Sequence, residues 1–328
     1  MNRLMKLSLM AALAAAIAMT AAVKEVVAAD FPEKPITILA YMKPGGAADV
    51  DSRKLAAIAE RLTGKRFVVK NKTGAGGIVA MKSVLEQPAD GYLLMATTKS
   101  QVYKIVTSNS DVDVNDFEWL IMNQSDPEAI ITNRESEVNT WEQIVADAKA
   151  KAAEGKKQIW VGPAAGGLDH VTAMKVWKAA GIDPDSVKYI PFKGGKKAMI
   201  ELLGGRGTVY VGNPRDTIGQ PKLKVAALSR NERLPSFPDA PTFKELGVSG
   251  LDEEIMWRGF AIKGGIPEEA RTFWNDLFTQ VSKDPEWIAH VEKSSIDPVH
   301  IGHDEFIELI EKDMAEVRQW ASNAGILN

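Results

Sequence analysis

Four times along this chain an apolar run ends in a glycine-rich turn that opens straight into a helical pattern. Residues 36–41 lead into Lys43-Pro44-Gly45-Gly46-Ala47-Ala48-Asp49 and a helix from about residue 49. Residues 67–69 lead into Gly74-Ala75-Gly76-Gly77 and a helix over 78–86. Gln158-Ile159-Trp160-Val161 runs into Gly162-Pro163-Ala164-Ala165-Gly166-Gly167 ahead of a helix over 169–180, and residues 187–192 run into Lys193-Gly194-Gly195-Lys196 ahead of one over 198–203. Turn glycines let backbone N–H groups approach a ligand, and the first N–H groups of a helix lack intrahelical partners and carry partial positive charge. One such corner merely turns the chain. Four predict a cleft built from loops at the carboxyl ends of parallel strands, each loop suited to an anion.

The amino-terminal segment stands apart from that pattern. Arg3 and Lys6 precede an alanine-rich apolar run over residues 7–23, and Val27-Ala28-Ala29 offers small residues for cleavage, the organisation of an export signal over residues 1–29. A spanning helix needs roughly 20 strongly apolar residues, which this run falls short of. Cleavage near Ala29 removes Arg3, Lys6 and Lys24 against Glu25 and moves the formal charge from −3 to −5. A mildly acidic surface argues against a nucleic-acid partner. The chain has no cysteine, which excludes disulfides, thiolate metal sites, a cysteine nucleophile and a lipid-modified amino-terminal cysteine. Export without such an anchor predicts a free periplasmic protein, and about 300 mature residues predict two lobes.

Strands are expected at residues 92–96, 117–122, 129–132, 208–211, 225–228 and 257–262. Thr140-x-x-Gln143 reads as a capping box that opens a helix. Thr97-Thr98-Lys99-Ser100, at the end of one strand, reads either as a polar ligand loop or as a cap for the next helix. The proline-rich residues 234–241 predict an ordered loop between lobes, followed by a short helix over 242–246. Three helices, 267–283, 285–294 and 304–324, complete the chain. The first lobe is expected over 30–127 plus 251–328 and the second over 128–250, with hinges near 122–130 and just before Trp257.

No Gly-x-Ser-x-Gly elbow, dinucleotide fingerprint or phosphate-binding loop is present. His300-x-x-His303 lacks a third ligand and predicts no metal site. His170, behind Asp169 at a helix start, reads as a ligand contact or as a plain cap. Lys43, Lys99 and Lys193 lie in or beside the glycine loops, where ammonium groups add to the attraction for an anion; Lys196 and Lys197 read as a solvated charge run.

Several motifs closely resemble, in order, the Bug-type solute receptors of tripartite tricarboxylate transporters. They are Phe31-Pro32-x-Lys34-Pro35-Ile36, Pro44-Gly45-Gly46-x-x-Asp49, Gly74-Ala75-Gly76-Gly77, Pro88-x-Asp90-Gly91-Tyr92, Pro191-Phe192-Lys193-Gly194-Gly195, Leu202-Leu203-Gly204-Gly205 and Pro238-Asp239-Ala240-Pro241-Thr242-Phe243-x-Glu245-x-Gly247. The resemblance implies an α/β fold of the type II periplasmic-binding-protein kind, with two α/β lobes closing on a small carboxylate, which the charges of this chain narrow to an expected di- or tricarboxylate. It implies delivery to integral membrane permease subunits; a monomer without a cofactor is expected, and no catalysis, since no paired carboxylates or nucleophile-base pairs announce themselves. It also implies that the carboxylate is held by backbone groups and ordered waters from the loops matching 41–49 and 162–170. The expected ligand residues are therefore Tyr41, Lys43, Gly45, Gly46, Ala47, Ala48 and Asp49 in one loop. Pro163, Ala164, Gly166, Gly167 and His170 are expected in the facing one, flanked by Thr97, Thr98, Lys99, Lys193, Gly194, Gly212 and Asn213.

Departures from the family pattern bear on the ligand. Lys43 replaces a small or apolar residue, Ala47-Ala48 a Gly-Thr-like pair, and Gly166-Gly167-Leu168 a hydroxyl-bearing stretch. Gly212 stands where relatives carry an aspartate, beside a retained Asn213, and Arg258 follows Trp257. Bases gained and an acid lost predict a ligand with at least two anionic groups and no amine. A sensor feeding a signalling partner and an exported enzyme acting on a carboxylate are the alternatives.

Overall fold

A computed structural model describes residues 31–108 and 110–323; the expected export signal lies outside the described residues. Both sheets belong to one compact unit that starts at Lys34. The first is built from β1 (Ile36–Ala40), β2 (Phe67–Asn71) and β3 (Leu93–Thr98), which run parallel, joined through α1 (Ala47–Thr63) and α2 (Ile78–Leu85). It is completed by β4 (Phe117–Pro127), β10 (Ile255–Lys263) and β11 (Asp297–Gly302), in the order β11-β4-β10-β3-β1-β2. The second sheet has the order β7-β6-β8-β5-β9, from β5 (Ala129–Asn133), β6 (Gln158–Pro163), β7 (Val187–Phe192), β8 (Val209–Gly212) and β9 (Leu223–Leu228). Its parallel strands β6, β7 and β8 alternate with α5 (Leu168–Ala179) and α6 (Gly195–Leu203), and α4 (Trp141–Ala153) opens at the Thr140–Gln143 capping box. Parallel neighbours cannot be joined by a hairpin, so each of these strands returns through a helix on the sheet face.

The chain passes between sheets twice, from β4 to β5 through Glu128 and from β9 back to β10. Backbone and hydroxyl groups lash the two crossings together. The Glu128 N–H donates to Glu254 O and to Ser229 Oγ, both at 2.9 Å, and the Ser229 N–H donates to Glu128 O at 3.0 Å. The core of the first lobe centres on Trp119, Trp257 and Phe306, packed edge to face with centroids 4.9–6.2 Å apart. Trp160 and Trp177, 5.6 Å apart, anchor the second. A smaller cluster of Tyr103, Leu168, Val171 and Val317 joins α3 (Lys99–Thr107), α5 and α9 (His303–Asn323) across the lobes.

Three expectations change. β4 runs to Pro127, five residues beyond the expected strand, because antiparallel pairing with β10 extends as far as Ile255. Residues 243–246 form a turn, not a helix: Thr242 bridges to Leu228 and the Phe243 N–H donates to Leu228 O at 2.9 Å, which ties this segment to β9. β11, for which no strand was expected, is an edge strand held by β4, a position that tolerates Pro298. After α7 (Glu268–Ser282) and α8 (Pro285–Glu292), the described residues finish in α9, beside α3 and β4.

Candidate functional site

The first glycine corner is built by its own aspartate. The Gly45 N–H donates to Asp49 Oδ2 at 2.9 Å, and Asn71 Nδ2 donates at 2.9 Å both to Asp49 Oδ1 and to Met42 O. Burial works against the Asp49 charge, but Arg53, the Gly45 amide and Asn71 outweigh it and hold the carboxyl below its usual range. Asp49 thus shapes the loop instead of reaching for a ligand. The Gly46 N–H donates to Lys43 O, which leaves the N–H groups of Ala47 and Ala48, the first of α1, without an acceptor among the described residues.

The third corner is locked by the opposite lobe. The Leu168 N–H donates to Ser100 Oγ at 3.1 Å, Thr107 Oγ1 donates to Gly166 O at 2.7 Å, and Lys104 Nζ donates to Ala165 O at 3.0 Å. Gly166 has φ +69°, and a side chain there would strike Thr107. Ala164 donates to Phe192 O at 3.1 Å, so Pro163 and Ala164 sit against the Lys193–Gly194 corner. His170 resolves toward capping: its Nδ1 accepts from the Gly166 N–H at 3.1 Å, and its ring stacks on Tyr189 at 4.5 Å. Burial, with Lys104 nearby, lowers its pKa to about 4, so the imidazole is neutral and carries its proton on Nε2. The His170 N–H, in the first turn of α5, has no acceptor among the described residues.

Between the two corners lies a polar floor. Tyr41, directly after β1, shares a 2.9 Å hydrogen bond with Thr98 Oγ1, and Thr98 with Gln101 also forms the capping box of α3. β3 pairs Thr98 with Arg258, so Thr98 shares the face of Arg258 while strand alternation turns Thr97 to the other side. A register slip after Arg258 on β10 marks a bulge, a device that re-aims side chains. Arg258 Nη2 lies 2.6 Å from Asp126 Oδ2 and 3.3 Å from Asn213 Oδ1, which makes it a bridge between lobes. Asn213 Nδ2 in turn donates to Pro127 O and to Glu128 Oε1, at 3.0 and 2.9 Å. Facing them, Tyr210 donates to Asp216 Oδ2 at 2.5 Å, and Arg215 Nη1 comes within 3.6 Å of Asp51 Oδ2 across the lobes.

Charge on this floor is dominated by buried acids. Burial raises Asp126 to about 6 despite Arg258, and raises Asp169 to about 8 with Asp216 and Asp126 reinforcing it. Burial together with Asp169 and Asp126 pushes Glu128 well above its ordinary value. Buried carboxyls therefore outnumber the guanidinium groups of Arg258 and Arg215 here, whereas the loops alone led to an expected excess of bases.

Not every expected residue gathers here. Lys99 turns the other way: its Nζ pairs with Asp313 at 2.9 Å, and it lines a groove of about 790 Å³ with Ser125 and Pro127, whose side chains alternate with Asp126 across β4. The expectation that its ammonium reaches the ligand gives way to that ion pair. Lys43 and Lys193 are exposed at loop tips, and Lys197 pairs with Glu201 at 2.5 Å. The second corner packs on α3, with Gly77 against Gln101 and Gly76 against Lys104. Gly212 lies beneath the Tyr210 ring, where a side chain has no room.

The family model for the TctC family, described as "Tripartite tricarboxylate transporter family receptor", matches residues 52–325. The chain belongs to this family. It is 26% identical over 317 residues to the UPF0065 protein in gbd 5'region of Cupriavidus necator, covering 94% of each chain. Its fold is similar to that of R. palustris Rpa4515 with adipate, at TM-score 0.81 and 21% identity over 90% of this chain and 99% of that one. It is also similar to MatC (Rpa3494) from Rhodopseudomonas palustris with bound malate, at TM-score 0.77 and 17% identity over 88% and 99%. A TctC chain is a solute-binding receptor, and no described helix is long and apolar enough to cross a membrane.

Sequence reasoning passed over Asp126, Glu128, Asp216, Tyr189 and Tyr210. One signal was available. Asp126 and Glu128 flank a proline where two apolar strands meet, and carboxylates at such a position are rarely left in a core without a task.

Proposed function

We propose that this protein is a periplasmic receptor that captures a small organic carboxylate between its lobes and delivers it to the membrane permease subunits of a tripartite transporter, as a monomer. The observation that carries the reading is the set of free first-turn N–H groups, Ala47 and Ala48 on α1 and His170 on α5, in the two corners that flank the polar floor. Amide donors at helix starts favour an anion without altering it. The adipate and malate of the two similar solved structures fit such donors. The lobes would divide at Glu128 and between Ser229 and Glu254, and a solute touching both would stabilise the closed arrangement by its higher affinity for it.

Among carboxylates, the di- and tricarboxylates suggested by Lys43 and Arg258 compete with acids that also carry a cation, and the charge of the floor separates them. The test is a thermal-shift screen of the purified protein against mono-, di- and tricarboxylates and amino acids, followed by recovery of the bound compound. A midpoint that rises with ligand concentration, with the compound recovered unchanged, supports a receptor. A chemically altered compound, or no response to any carboxylate, overturns the reading.

A further inference from the structure

The inference deepens the carboxylate reading and rests on it. Glu128 is wholly buried at the crossing between lobes; its Oε1 accepts from Asn213, but its Oε2 has no partner among the described residues. Asp126, equally buried, gives Oδ2 to Arg258 and leaves Oδ1 without a partner. Two carboxylate oxygens are therefore held in the interior with nothing donating to them, a costly arrangement unless a bound molecule supplies the donors.

The wider charge points the same way. Asp169 and Asp216 add two carboxyls around Asp126 and Glu128, against the guanidinium groups of Arg258 and Arg215, whose Nε and Nη1, respectively, are likewise buried without a hydrogen-bond partner among the described residues; Asp51 lies apart from this group, hydrogen-bonded to His290 Nε2 at 2.9 Å and, against burial, held below its ordinary range by His290, Arg215 and Arg258. The groups facing Asp169 from the neighbouring elements are Tyr41, Asp126, Glu128, Tyr189, Tyr210, Asp216 and Arg258; only one of them is a cation. Burial above all raises Asp126, Glu128 and Asp169, and the repulsion of neighbouring carboxyls adds to it, so the floor has a shortage of positive charge. A second anionic group on the solute would worsen that shortage, and an ammonium group would relieve it.

We propose that the solute carries, beside its carboxylate, a cationic amine seated against Glu128 Oε2 and Asp126 Oδ1, so that this receptor takes an amino acid or similar zwitterion in preference to a plain di- or tricarboxylate. The carboxylate lies toward the free amides of α1 and α5 and the amine toward the crossing strands. Seating the amine drives protons off the floor carboxyls, so binding releases protons. A plain dicarboxylate would instead draw protons in.

The experiment is calorimetry on the full mature chain at pH 7, in two buffers of different ionisation enthalpy, with matched pairs that differ only in the amine: aspartate with succinate, glutamate with glutarate, and the neutral amino acids with their deaminated acids. The expected result is that for at least one pair the amine-bearing member binds tenfold or more tightly, with proton release. Glu128→Gln should cut that preference at least tenfold and suppress the release; Asp169→Asn, read for proton release alone, serves if the first variant does not fold. Deaminated acids that bind as tightly, or binding accompanied by proton uptake, overturn the amine seat and leave the carboxylate reading standing. Amines without a carboxylate that bind alone overturn the carboxylate reading and keep the seat. No binding by any member overturns both.

Discussion

Asp126 and Arg258 meet at 2.6 Å on neighbouring antiparallel strands, at the place where the chain leaves the first lobe, and Arg258 reaches on to Asn213 of the second. One guanidinium thus serves the strand pair, the lobe junction and the polar floor between the two corners. Geometry of this kind makes the pair far more costly to break than to replace.

Arg258→Met should therefore destabilise the protein by about 3–5 kcal/mol at pH 8, because it leaves buried carboxylates without their cation. The loss should be smaller at pH 5, where Asp126, already raised to about 6, takes a proton instead. Adding Asp126→Leu should recover much of the stability. Urea melts at the two pH values check this, and an additive double variant would contradict it.

Gly212→Ala should cost about 1–3 kcal/mol, since its new methyl group would meet the Tyr210 ring from the same strand face. Tyr210→Phe should not rescue it, because the ring carbons are also in the way, whereas Tyr210→Ala should make the two changes less than additive. A double-mutant cycle by denaturant unfolding measures the coupling.

Stability of the ligand-free protein should fall between pH 6.5 and 8. Asp169 titrates near 8 when folded and near its ordinary 3.8 when unfolded, so through this window the native state holds the extra proton and loses its advantage as pH rises. His170 has the opposite sign, since its folded value near 4 lies below the ordinary 6.5, but its contribution is confined below pH 6.5 and is lost as pH falls toward 4. One proton corresponds to about 1.4 kcal/mol per pH unit, or about 2 kcal/mol over the window. Asp169→Asn should remove that share of the slope, as read from urea melts at pH 6.5 and 8. An unchanged slope would mean that Asp169 is ionised throughout.

The parallel strands and the helices that follow them were legible because each is a local event: an apolar run, a glycine turn, a helical period. The same holds for the anion-favouring corners, whose donors are backbone groups that exist wherever a helix begins. Boundaries failed where pairing partners decide them, as when β10 draws β4 out to Pro127, when β4 captures β11 despite Pro298, and when β9 ties down Phe243.

The sequence by itself determined the receptor family, the two-lobed α/β organisation and the amide-lined loops, because short-range pattern and motif order suffice for them. Only the tertiary structure decided the charge of the cleft. Lys99 and Asp126 are far from Asp313 and Arg258 along the chain, and which ammonium is neutralised and which carboxylate oxygen is left bare depends on which face each strand presents once the sheets are paired.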